Sequence, residues 1–157
     1  YWIQEGERIE NTIKEVSDYV HSKDYFFYWI PHILGADNVN NNWKELGFDR
    51  AYLQPGYFYR TDADYWRLAE SAQRVNSHQF LPYVELSSQA LVSGENWGYR
   101  LDNTIDVFNL YGFWDSHPIG YYQSQRALHE MFYSNDKQDR DLYYRLIDIV
   151  ARRQKYN

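Results

Sequence analysis

The sequence predicts an α/β fold of alternating βα units, and three observations carry that prediction. Short apolar runs of strand length at 25–31, 51–53, 80–85 and 119–122 alternate with stretches whose apolar residues recur at helical spacing. The runs are continuous rather than alternating, as in parallel strands covered on both faces. Turn formers separate them, among them Gly47, Gly112 and the GADNVNNN segment at 35–42. Alternation of this kind implies right-handed crossovers and a parallel sheet. Two closures fit: the carboxyl-terminal half of a (β/α)8 barrel, whose usual size is about 250 residues, and a small open parallel α/β sheet. A free-standing doubly wound domain would carry a glycine-rich first turn, and no GxGxxG, P-loop or GxSxG occurs, which favours the half-barrel.

Taken in order, Ile9, Ile13, Val16 and Val20 form one apolar stripe of a helix over roughly 5–22. The run at 25–31 suits a fully buried strand, with His32 at its outgoing end. The loop at 35–42 connects to a helix carrying Trp43, which Gly47 stops by supplying a left-handed residue. Ala51, Tyr52 and Leu53 form the next strand, ended by Gln54 and Pro55 and followed by an aromatic loop with Tyr57 and Tyr59. Asp62 and Asp64 precede a helix with Leu68, Ala69, Ala72 and Val75 at core spacing, where acids favour the dipole of the first turn. A third strand covers 80–85, although Pro82 removes one ladder donor and implies an irregular edge. A polar segment leads to a helix with Leu101, Ile105 and Phe108, closed by Gly112. The strand at 119–122, a brief helix with Leu128, Met131 and Phe132, and a longer one from Asp136 with Leu142, Leu146, Ile149 and Val150 complete the chain.

The 157 residues, 44% hydrophobic, make one domain or part of one over 1–157 with no internal boundary. The chain opens without Met, its only one being Met131, close to a helical pattern, and reads as part of a larger protein that supplies the rest of the barrel. With no cysteine, disulfides, thiolate zinc sites and cysteine nucleophiles are excluded. A net charge of -6 argues against a nucleic-acid partner. No apolar run approaches the ~20 residues of a membrane span, and no signal-peptide pattern opens the chain. The five histidines are scattered without metal spacing. His129-Glu130 begins like a zinc-protease helix, but Tyr133 stands where the second ligand belongs, so neither metal nor cofactor is expected. Arg152, Arg153 and Lys155 complement a helix carboxyl end.

The aromatic content is high, at 20% with 17 Tyr and 6 Trp. Part of it is core. Such an excess also suits a carbohydrate cleft, where flat rings stack on a sugar and hydroxyls are bonded at its edge.

The runs FFYWIP, WKELGFD and AYLQPGYFY, a strand ending in Glu85, and GYYQS together resemble a bacterial domain of unknown function, DUF4855. The resemblance covers roughly 26–150. Trp43, Leu46, Gly47, Phe48, Asp49, Tyr52, Gln54, Pro55, Tyr57 and Phe58 agree with the family in order and spacing. The resemblance implies a TIM-like barrel grouped with glycosidase-type barrels, in secreted, cell-surface or periplasmic proteins that handle polysaccharides, and no established reaction. Three positions depart from the pattern: Gly56 replaces Asn, Ser87 replaces a second acid and Ser124 replaces a Gly. The first and third alter loops; the second removes a catalytic carboxylate.

Glu85 is the catalytic candidate. A carboxylate ending an apolar strand is costly to desolvate unless it faces a polar cleft or a partner, and strand ends are where barrel enzymes carry their chemistry. Its alternative role is a structural carboxylate paired with an Arg or Lys of a neighbouring strand. Hydrolysis of a glycoside by the common route needs a second carboxyl group; Asp62, Asp64, Glu95 and Asp115 are weak candidates, and strands outside this chain a better source. His32, Gln54, Tyr57, Tyr59, Tyr122 and Gln123 are the candidate sugar contacts, amides bonding hydroxyls and rings stacking. His32 and His117 have structural roles as their alternative. The competing function is a glycan-binding or structural module without catalysis.

Overall fold

Ala51 and Leu53 are fully buried while Tyr52 between them is half-exposed, so the second strand buries one face against helices and turns the other away. The structure, a computed structural model, describes residues 6–35, 41–124 and 126–153. Its elements run α1 (Gly6–His21), β1 (Tyr28–Trp29), β2 (Arg50–Leu53), α2 (Tyr65–Ser77), β3 (Leu81–Leu86), a 3-10 turn (Ser88–Ala90), α3 (Gly98–Leu110), α4 (Phe113–Ser116), β4 (Gly120–Gln123), α5 (Ala127–Tyr133) and α6 (Lys137–Arg153). The four strands are parallel in the order β1-β2-β3-β4 and curl as half of a barrel wall. The α/β alternation expected from the sequence is therefore present.

Side-chain alternation divides the sheet into two faces. Ala51, Leu53, Val84 and Leu86 enter one core with Leu68, Ala72 and Val75 of α2 and Leu101, Val107 and Phe108 of α3. On the other face, Tyr28, Tyr52 and Tyr83 make a row, with ring centroids 6.1 and 6.3 Å apart. Gly120 opposes Tyr83 in register, and a Cβ there would overlap the Tyr83 ring. Removing that one side chain is what lets a tyrosine lie across the inner face.

Several expectations need correction. The run at 25–31 is not a fully buried strand: Tyr25, Phe26, Tyr28 and Ile30 are 42–74% exposed, because β1 is the sheet's edge and no further strand among the described residues covers it. Its ladder resumes at His32, which bridges Gln54 through Ile33 N–H to Gln54 O at 2.9 Å and Gln54 N–H to Pro31 O at 2.8 Å. Residues 41–47 form successive turns rather than a helix; one α-type bond, Leu46 to Asn42, gives way to a tighter one, Gly47 to Lys44. Gly47 is left-handed at φ 90°, as predicted, and a Cβ there would overlap the Ser17 hydroxyl, which donates to Gly47 O at 2.9 Å. The stripe on α1 is only half-buried, Val16 being 43% exposed. Pro82 lies inside β3 rather than at an irregular edge, and it is tolerated because pairing with β4 begins only at Tyr83. Most of the 35–42 loop and Lys155 lie outside the described residues. Arg153 does complement a helix end, that of α4, through Phe113, Trp114 and His117 carbonyls.

Candidate functional site

The parallel strands deliver their carboxyl ends to one rim, where ligands of barrel-like folds are met. Glu85, one residue from the end of β3, points to the inner face with Tyr83 and is only 1% exposed. The turn after β2 folds over it. Gly56 takes φ 66°, and the next amide, Tyr57 N–H, donates to Glu85 Oε2 at 2.8 Å. Oε1 has no hydrogen-bond partner among the described residues. Burial pushes the carboxyl up to about 7; the amides of Tyr57, Phe58 and Gly56 and the Gln54 side chain approach closely enough to pull the other way without reversing it. No Arg or Lys pairs with Glu85 among the described residues, so the ion-paired structural role is not realised.

His32 completes the wall. Its ring packs on the Cα of Gly56 so closely that a Cβ there would overlap Nε2. Gly56 therefore does more than alter a loop: it admits a histidine against the turn that holds Glu85. Leu34 N–H donates to His32 Nδ1 at 3.2 Å, so the neutral ring carries its proton on Nε2. Burial, then the charges of Arg67 and Arg60, lower the His32 pKa below 6.5, which keeps the ring neutral near physiological pH.

The candidate aromatics separate into two roles. Tyr57 is buried, its hydroxyl accepting from Asn103 Nδ2 at 2.8 Å and its carbonyl from Arg100. The Arg100 guanidinium lies 5.0 Å from the Tyr57 ring and 3.8 Å from that of Trp97. What Tyr57 presents to the site is its amide. Tyr59 and Tyr122 are 40% and 47% exposed, with ring centroids 5.8 Å apart. Tyr122 is the register partner of Glu85. The Tyr59 hydroxyl donates to Leu86 O at 3.0 Å, and burial, then the Glu85 charge, pushes its pKa up. This pair, its rings tilted by 59°, is the aromatic surface beside the carboxyl group. Gln123 is exposed and spends its side-chain oxygen on Leu128 N–H at 2.8 Å, capping α5.

The other candidates have local duties. Ser87 is buried and caps the 3-10 turn through Gln89 N–H at 3.1 Å. Ser124 accepts from Ser88 N–H at 3.2 Å and donates its own N–H to Leu86 O at 2.9 Å. Asp62 is forked by Arg60 at 2.8 and 2.7 Å, and Asp64 caps α2. His117 precedes β4, at the opposite rim, and packs on Phe113. Tyr83, Arg100, Asn103 and Arg67 were not anticipated. Two-residue alternation from Glu85 was the signal for Tyr83; the others depend on tertiary packing. No group of three or more His, Asp or Glu is placed to hold a metal among the described residues, and no described helix is long and apolar enough to cross a membrane.

Residues 1–148 match the model of a domain of unknown function, DUF4855. No curated protein and no solved structure matches the chain.

Proposed function

The chain belongs to the DUF4855 family, and from that premise we propose a carbohydrate-active domain of the glycoside-hydrolase type in which Glu85 is the proton donor. The observation that carries the proposal is the Glu85 carboxyl itself, buried at a strand end with one oxygen held and the other unmatched. An acid poised near neutrality is protonated often enough to give a proton to a leaving oxygen and basic enough to recover it. Tyr59 and Tyr122 stack on the sugar, while Gln54, His32 and Gln123 orient its hydroxyls.

Glycoside hydrolysis by the usual route needs a second carboxylate, about 5–5.5 Å away for retention and about 6.5–9.5 Å for inversion. A sheet that curls as half a barrel wall leaves the facing wall to other strands. We assign the second acid to those strands in the complete protein and place the present strands in the carboxyl-terminal half. On family resemblance we place the protein outside the cytoplasm, at a cell surface or in the periplasm.

One observation favours a second function, a glycan-binding module without turnover: Ser87, where the family pattern carries an acid, is committed to capping. Plant, host and bacterial glycans incubated with the complete protein and with its Glu85→Gln variant separate the two. Hydrolysis that disappears in the variant supports the enzyme. Retention of a glycan without product from either protein supports the module.

A further inference from the structure

Arg67 stands in the first turn of α2, just past the outlet of β2. Its Nε and Nη1 are buried and have no hydrogen-bond partner among the described residues. Guanidinium nitrogens are donors only, and leaving charged donors both desolvated and unmatched is among the costlier arrangements a fold can keep. The acids around it are engaged elsewhere: Asp62 with Arg60, Glu70 with Arg74 at 2.8 Å, and Asp64 with the helix cap at Arg67's own N–H. Among the described residues no acid bonds to this guanidinium, and Asp62 feels its charge only at a distance.

Its position ties it to Glu85. The field of Arg67 reaches His32, the His32 ring lies on Gly56, and the amide after Gly56 holds the Glu85 carboxyl. One succession of neighbouring groups thus crosses the outlets of three adjacent strands, buried at both ends. It begins at an unmatched cation and ends at an unmatched carboxyl oxygen.

We infer that Arg67 receives an anionic substituent, a carboxylate or a sulfate, of the sugar whose neutral hydroxyl or glycosidic oxygen meets Glu85. The inference rests on the carbohydrate function proposed above and names its substrate class. A planar guanidinium matches a carboxylate or sulfate through paired hydrogen bonds, which a lysine does not reproduce. The neutral His32 beside it adds a donor without a competing negative charge.

Glycan arrays carrying matched sets of one backbone, as the uronate, its carboxyl-reduced neutral form and its sulfate ester, test this on the complete protein. The expected result is at least about tenfold tighter retention of one anionic member than of the neutral one. The arm that binds identifies carboxylate or sulfate. Arg67→Gln should reduce the preference to about twofold or less while leaving retention of the neutral member in place. Arg67→Lys, which keeps the charge if the Gln variant fails to fold, should retain only part of it. Equal retention of neutral and anionic members by the unaltered protein, or an undiminished preference in both variants, overturns the inference and leaves the carbohydrate function standing. No retention of any set overturns both.

Discussion

The Tyr57 amide donates to Glu85 Oε2 at 2.8 Å while Oε1, equally buried, accepts no hydrogen bond from the described residues. A carboxyl group held by one oxygen has a fixed orientation and a free valence. If that valence gives a proton to a leaving group, activity requires the protonated form. kcat/KM should then fall as pH rises through about 7, the value to which burial lifts the group. Glu85→Gln should lower kcat by about a thousandfold and leave glycan retention intact. Turnover unchanged in the variant would remove Glu85 from the mechanism.

The same group gives a stability signature. Its folded value of about 7 exceeds the ordinary 4.5, so the native state holds a proton that the unfolded chain has released between those pH values. By linkage, stability falls as pH rises from 4.5 to about 7 and is level above. The shift corresponds to roughly 3 kcal/mol. Glu85→Gln lacks this loss and should be the more stable protein at about pH 8 but not at about pH 4.5. Urea unfolding at the two pH values measures it; parallel losses in both proteins would contradict the assignment.

How far the sequence reached follows from which interactions are local. The stripes of Leu68, Ala72 and Val75 and of Leu142 and Leu146 recur at helical spacing, and these residues are buried as α2 and α6 require. Glu85 was legible because one acid closing FLPYV contradicts its surroundings. The exposure of Tyr25, Phe26 and Ile30 was not, since an apolar run has the same composition whether or not a neighbouring strand covers it. Nor was the division of labour between Tyr57 and Tyr59. Two residues apart in a turn rather than a strand, they follow no fixed alternation, and the inward ring is the one that the turn at Gly56, φ 66°, brings to Arg100 and Asn103. Arg67 was invisible for a related reason: the burial of a long side chain depends on what folds over it.

Gly56 and His32 should be energetically coupled. Alanine at 56 meets two penalties, a left-handed backbone and overlap of its Cβ with the His32 ring, together about 2–4 kcal/mol. In a His32→Ala background only the backbone penalty remains, about 1 kcal/mol. A double-mutant cycle read by denaturant unfolding should therefore give a coupling of at least about 1 kcal/mol. Additive losses would show that the ring and the turn do not touch in solution.

Tyr122 and Tyr59 should separate binding from stability. Tyr122 is 47% exposed, so Tyr122→Ala should leave the unfolding midpoint nearly unchanged while weakening glycan retention about five- to tenfold through the lost stacking surface. Tyr59→Phe keeps the ring but deletes the hydroxyl bonded to Leu86 O. It should cost about 1 kcal/mol of stability with retention preserved. Undiminished retention by the Tyr122 variant would place the sugar elsewhere.

Arg100 is the residue through which packing sets the acid. It is 2% exposed and donates to the carbonyls of Tyr57 and Arg60 while stacked between Trp97 and Tyr57. It thereby holds the peptide that follows Tyr57, and through that residue steadies the amide presented to Glu85. Arg100→Met fills much of the volume but leaves the Tyr57 carbonyl unmatched, while the Arg60 carbonyl keeps the Ala63 amide at 3.3 Å, a loss of roughly 1–3 kcal/mol. Merely structural damage would lower the folded fraction and leave the pH profile where it was. Loosening the Tyr57 amide instead removes an interaction that lowers the Glu85 pKa, so the alkaline limb of kcat/KM should move to higher pH, with Arg100→Lys intermediate. A limb fixed at its original pH in both variants would confine Arg100 to the core.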